Sequence, residues 1–196
     1  MIIRARHHPF ISPFFTRYGR RRIKRHFQRV VVSGYYTEKN LPILLVANHM
    51  SWWDGFWLNE LNAKVFGRKF HFMMLEEQLR RHWYFRYTGG FSVRKGTRSV
   101  MESLAYAAGL LSDSRNLVMM FPQGEIQSLY TEDFRFGKGI RHILRKVSGE
   151  VQIIFVANLV EYLSNPRPSL FTYLKEYDGQ TNDIHEMEAA YNEFFG

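Results

Sequence analysis

The chain has 196 residues, 27 Lys and Arg against 18 Asp and Glu, a formal net charge of +9, and no cysteine. One large domain, or a domain with a terminal extension, fits that length, and it suffices to bury a sizeable core. Disulfides, thiolate catalysis and Cys-ligated zinc are excluded. No apolar run is long enough to span a bilayer, and no secretory signal pattern opens the chain, so the expected location is the cytoplasm.

Pro9 and Pro13 predict an irregular or broken extreme N-terminus, followed by a helix over 14–27. Nine cations (Arg4, Arg6, Arg17, Arg20, Arg21, Arg22, Lys24, Arg25 and Arg29) precede the first acid, Glu38. The remaining eighteen basic residues balance the eighteen acids, so the whole excess sits in residues 1–29. Such a segment is drawn to an anionic polymer or an anionic lipid surface. Its cations alternate with Ile3, Phe10, Ile11, Phe14, Phe15, Tyr18, Ile23 and Phe27, a mixture suited to a membrane interface. A solvated basic face with its aromatics packed on the body is the alternative. No zinc finger, RNP-type motif or helix-turn-helix accompanies the charge, and no nucleic-acid partner is expected.

Val30–Val32 reads as a strand ending at Ser33-Gly34, and Ile43–Ala47 as a buried strand. Asp54 to Leu61 reads as a helix, Phe70–Met74 as a strand, and Glu76 to Trp83 as a helix. Gly89-Gly90 marks a turn into a short strand, Phe91–Val93. Thr97 is placed to cap a helix through Leu111, with Val100, Leu104, Ala107, Ala108 and Leu111 on one face. Asn116–Phe121 is a strand broken by Pro122 and Gly124; helix 139–147, strands 151–156 and 170–174, and a helix from Ile184 complete the chain. Strands alternating with helices predict an α/β layered domain.

The chemistry-bearing stretch is Asn48-His49-Met50-Ser51-Trp52-Trp53-Asp54, directly after the buried strand. Positions five apart do not share a helix face, so His49 and Asp54 meet only if the strand ends, turns, and starts a new helix. A histidine so placed can take a proton near neutral pH, with the carboxylate fixing its tautomer and stabilising the imidazolium. His71 and Glu76 repeat the spacing, but His71 lies inside a strand and reads as packed or surface-exposed. Ser51 lacks the G-x-S-x-G elbow of a nucleophile and reads as a turn residue. Asp54 can also cap the following helix, and Arg94 can equally be a surface residue beside Lys95 and Arg98. Trp52, Trp53, Phe56 and Trp57 divide between core and the lining of an apolar groove.

The segment 48–54 resembles the N-H-x-S-x-x-D block of the glycerolipid acyltransferases, the lysophosphatidate acyltransferase type. Gly90-Phe91-Ser92-Val93-Arg94 is similar to that family's second block. Phe121-Pro122-Gln123-Gly124-Glu125 is similar to the third, usually F-P-E-G-T-R. Ile153–Ala157 stands where the fourth, an apolar strand, belongs. The resemblance, from about Val30 to Val160, implies a mixed, largely parallel sheet flanked by helices, of the glycerol-3-phosphate acyltransferase kind. It implies an O-acyltransferase domain over 30–196; residues 1–29, by their charge and interleaved apolar side chains, are expected to be a membrane-associating segment on the inner face of the cell membrane. By the family's pattern His49 is the general base and Asp54 its partner. Arg94 holds an acceptor phosphate, and Phe121, Gln123, Gly124 and Glu125 shape the acceptor site. The implied partners are an anionic membrane surface, an acyl-CoA or acyl-carrier protein donor, and a lipid or lipid-precursor acceptor. No cofactor or metal is expected.

The chain departs from the pattern at Gln123 (usually Glu), Glu125 (usually Thr) and Ile126 (usually Arg), and its fourth block lacks the proline. Loss of an arginine and gain of an acid predict an acceptor less dependent on phosphate than lysophosphatidate, such as a glycolipid or another lipid alcohol. They also leave open a non-catalytic lipid-binding protein on the same fold.

Overall fold

The computed structural model describes residues 1–179 and 183–196. Seven strands form one sheet: β1 (Val30–Tyr35), β2 (Ile43–Ala47), β3 (Lys69–Leu75), β4 (Gly90–Val93), β5 (Asn116–Met120), β6 (Gln152–Glu161) and β7 (Ser169–Tyr177). Their spatial order is β1-β7-β6-β2-β5-β3-β4. All neighbours pair parallel except β6 with β7, so the sheet is mixed and largely parallel, as expected.

β2 lies at the centre, and all five of its residues are 0 % exposed. Strands covered on both faces read as unbroken apolar runs, which is why Ile43–Ala47 shows no alternation. Its side chains still divide by parity. Leu44 and Val46 join a cluster with Leu104, Ala107, Ile140, Ile143, Met187 and Tyr191 from α4 (Ser99–Leu110), α5 (Lys138–Lys146) and α6 (Ile184–Phe195). Ile43, Leu45 and Ala47 join the opposite cluster with Leu58 and Leu61 of α2 (Asp54–Leu61) and Phe66, in the π-type turn that prolongs it.

α1 (Ile11–His26) packs against α2. Ile23 is buried with Trp57 and Leu170, and Arg20 donates to the Glu60 carboxylate at 2.9 Å. The helix starts before Pro13, contrary to expectation, because a proline in a first turn removes no helical hydrogen bond. Residues ahead of it run beside edge strand β4: Ser92 N–H donates to Ile3 O at 2.9 Å, and Arg6 N–H to Arg86 O at 2.8 Å. That contact covers an edge otherwise open to pairing.

Further boundaries differ from the sequence reading. β6 and β7 run to Glu161 and Tyr177, past the expected ends at 156 and 174, because the two pair antiparallel along their whole length. β1 continues through Gly34, whose φ is +96° and where a Cβ would lie 2.1 Å from Leu174 O; only glycine lets the strand pass that close. α3 (Glu76–Arg81) stops short of Trp83, and a 3-10 turn over 83–88 leads to β4. α4 begins at Ser99 without a side-chain cap; Thr97 instead donates its hydroxyl to Arg94 O at 3.0 Å. Among the described residues no helix is long and apolar enough to cross a membrane.

Candidate active site

β2, β5, β3 and β4 are parallel, so their carboxyl ends share one edge of the sheet. The segments that leave them carry His49, Phe121, Glu76 and Arg94. Open α/β sheets present ligand sites at such an edge.

The chain leaves β2 through Asn48, which is buried and braces the exit. Its Nδ2 donates to Asn158 O at 2.9 Å, and Asn158 N–H donates to its Oδ1 at 2.8 Å. Thr172 then donates to Asn158 Oδ1 at 2.8 Å. The turn that follows is closed by Ser51, whose Oγ accepts the Trp53 N–H at 3.1 Å and whose carbonyl accepts the Asp54 N–H at 3.2 Å. α2 therefore begins at Asp54 and swings its carboxylate back toward the strand end.

Asp54 is 0 % exposed. Its Oδ2 lies 2.7 Å from His49 Nδ1 and accepts N–H bonds from Met50 at 2.8 Å and Ser51 at 3.0 Å. It does not cap the helix by a side-chain bond. With two amides directed at the same oxygen, that oxygen is an acceptor and the shared hydrogen belongs to Nδ1. Nε2 is thus left as the histidine's basic nitrogen. The imidazole side chain is 22 % exposed, enough to be reached from one side.

The Phe121 ring lies flat on the imidazole, centroids 3.9 Å apart and planes 4° from parallel. Gln123 Oε1 accepts the His49 N–H at 3.2 Å, and Gln127 N–H donates to His49 O at 2.8 Å. A glutamate at 123 would offer the same acceptor, so this departure preserves the brace on the histidine backbone. Gly124, at φ +72°, turns the chain outward and leaves Glu125 and Ile126 exposed. Lys95 Nζ donates to Gly124 O at 2.5 Å, tying the 94–95 segment to this turn.

Arg94 stands apart from the histidine's immediate partners. Its Nε and Nη2 donate to the two oxygens of Glu76 at 2.7 and 2.6 Å. His71, the other half of the repeated spacing, is buried in β3, where its Nε2 lies 3.2 Å from Asn116 Oδ1 and its ring meets His7 edge-on. Burial, reinforced by the charge of His7, pushes its pKa down to about 4. Among the described residues no group of three or more His, Asp or Glu is placed to hold a metal ion.

The model of the acyltransferase family matches residues 29–158, a span that contains the His49–Asp54 pair, the Phe121 turn and most of the sheet. The chain belongs to the acyltransferase family. A search of curated proteins by sequence returned no match. Six chains of known structure match. Among them is the 1-acyl-sn-glycerophosphate (LPA) acyltransferase PlsC from Thermotoga maritima, at 18 % identity and TM-score 0.66, over 93 % of this chain and 76 % of that one. The acyltransferase fold expected from the resemblance is therefore the fold observed.

Sequence reasoning does not single out Asn48 or Gln127 as parts of this candidate site, and it sets Glu76 aside with His71. Asn48 stands inside the N-H-x-S-x-x-D block, so its residue type was legible in the chain. Its partner, 110 residues away on β6, was not.

Between the end of α1 and the start of α2, Trp53 and Trp57 line a cavity of about 300 Å³ with Arg22, Ile23, His26 and Phe27. The volume is at the lower end of ligand pockets. Trp52, by contrast, is 47 % exposed.

Proposed function

We propose that this chain is an O-acyltransferase that moves a fatty acyl group from a thioester donor, acyl-CoA or acyl-carrier protein, to a hydroxyl of a lipid acceptor. The observation that carries the reading is the His49–Asp54 pair, with Nδ1 spent on a buried carboxylate and Nε2 left basic. In the step, Nε2 takes the acceptor hydroxyl's proton as its oxygen attacks the thioester carbonyl. The tetrahedral oxyanion collapses, the carbon–sulfur bond breaks, and the imidazolium returns the proton to the leaving thiolate. Asp54 stabilises the imidazolium between these events. No enzyme nucleophile is required, and Ser51 Oγ is occupied by the turn.

Phe121 and Gln123 hold the imidazole ring and backbone in place, and Gly124 with Glu125 borders the acceptor. The cavity lined by Trp53 and Trp57 takes an apolar part of a substrate. Residues 1–29 serve as the membrane-associating segment. Supporting that role, Phe10 and Phe14 are 80 % and 62 % exposed at the start of a helix with no acidic residue in its first turn, beside the exposed cations Arg17 and Arg21. An anionic membrane at the cytoplasmic side matches that surface.

The deciding experiment is His49→Ala, assayed with acyl-CoA and acyl-carrier protein donors against a lipid-alcohol panel. Loss of about a hundredfold or more in turnover, with the melting profile and vesicle binding intact, is expected. Turnover retained by His49→Ala removes His49 as the base. Absence of transfer by the unaltered chain with every acceptor favours a lipid-binding protein on the acyltransferase fold.

A further inference from the structure

We propose that Glu76 determines acceptor specificity: it occupies the Arg94 guanidinium so that a phosphomonoester cannot dock there, and the acceptor is a lipid alcohol lacking that phosphate. The inference rests on the acyl-transfer reading above. It starts from the sheet. Leu75 at the end of β3 faces Val93 at the end of β4, so the next residues, Glu76 and Arg94, leave the carboxyl edge side by side. Their pairing is dictated by register.

The geometry makes the contact a fixture. Both Glu76 oxygens are taken by Arg94, and Oε1 also receives Nε and Nη2 of Arg80 at 3.0 and 2.8 Å. The Glu76 side chain is only 7 % exposed, whereas those of both arginines are more than half exposed. A carboxylate this enclosed persists because it is paired, and removing a partner would leave its charge uncompensated. Hydrogen bonds from Arg94 and Arg80 hold its pKa down to about 2, so the charge is present at any working pH.

Two consequences follow for an anion. The Nε–Nη2 edge of Arg94, one of the edges with which a guanidinium grips an oxyanion bidentately, is already used. A phosphate approaching the other edge meets a fixed negative charge on the opposite edge of the same guanidinium. The neighbouring cation, Lys95, is drawn to Gly124 O, and the next residue along that turn is the acidic Glu125. A neutral hydroxylated headgroup suffers none of this repulsion.

Equilibrium dialysis of the full chain against a short-chain lysophosphatidate and the monoacylglycerol of the same chain length tests the assignment. Glu76→Gln keeps the shape of the side chain and removes the charge. It is expected to bind lysophosphatidate at least about tenfold more tightly, the weight of one charge-assisted hydrogen bond, with no gain for monoacylglycerol. Adding Arg94→Gln to Glu76→Gln should abolish the gain. Arg94→Gln alone should leave lysophosphatidate affinity within about twofold, because the guanidinium is already masked. Unchanged or weaker lysophosphatidate binding by folded Glu76→Gln overturns the proposal; it would make Glu76 a residue that positions Arg94 for phosphate. A tenfold loss in Arg94→Gln alone overturns it as well, and that variant decides the matter if Glu76→Gln does not fold. Binding is read without turnover, so an inactive protein would count against acyl transfer and still leave Glu76 judged.

Discussion

Asp54 holds two functions on a single oxygen, and two substitutions separate them. Asp54→Ala removes the acceptor of the Met50 and Ser51 amides and of His49 Nδ1. An unsatisfied buried donor costs about 1–3 kcal/mol. The two amides alone therefore predict a loss of about 2–6 kcal/mol, or roughly 5–20 °C in melting temperature for a chain of this size. Asp54→Asn behaves differently. All three donors converge on Oδ2, while Oδ1 is buried and has no hydrogen-bond partner among the described residues. The asparagine carbonyl takes the Oδ2 position and its amide nitrogen the Oδ1 position, so the turn keeps its acceptor and the histidine keeps its tautomer. What is lost is the charge beside the imidazolium. At a charge separation of about 4 Å and an effective dielectric constant of about 20, that charge is worth about 4 kcal/mol, roughly a thousandfold in kcat. Calorimetry and thiol release from acyl-CoA measure the two effects. Asp54→Asn unfolding as early as Asp54→Ala would refute the placement of the amide, and turnover within tenfold of the unaltered chain would refute the electrostatic role.

Three further outcomes are expected. Asn48→Ala strips both hydrogen bonds that join the end of β2 to β6 and should cost about 2–4 kcal/mol in urea unfolding; a loss under 1 kcal/mol would remove Asn48 as the brace. His71 carries a folded pKa of about 4 against an ordinary 6.5. The unfolded chain thus binds the extra proton between those values, and stability is retained above pH 6.5 and lost as pH falls toward 4. The contribution between pH 7 and pH 5 is about 2 kcal/mol, and His71→Phe should flatten that part of the pH profile in urea titrations. Phe10→Ser with Phe14→Ser should weaken flotation with anionic vesicles several-fold without shifting the melt. These point variants are better probes than deletion of 1–29, because Ile23 is part of a core cluster; equal flotation by the double variant would count against membrane insertion by α1.

The sequence alone determined what depends on neighbours in the chain. The run Ile43–Ala47 reads as a buried strand from its own residues, and a strand apolar on both parities needs cover on both faces. The five-residue spacing of His49 and Asp54 then required a turn into a helix, since no regular element brings such positions together. The cation excess of residues 1–29 was likewise a matter of counting. Pro13, Gly34 and Thr97 were misjudged from the same local information. A proline's effect depends on where in the helix it falls, a glycine's on what passes beside it, and a threonine's on which carbonyl it can reach.

Only the tertiary structure decided the partners of the site. Setting β2 between β5 and β6 brings Gln123 to the His49 amide and Asn158 to Asn48, across 74 and 110 residues. Pairing β3 with β4 brings Glu76 onto Arg94. The arginine's charge was legible in the chain, but its availability was not. Availability depends on which carboxylate the strand register sets beside it, and register is a property of the assembled sheet.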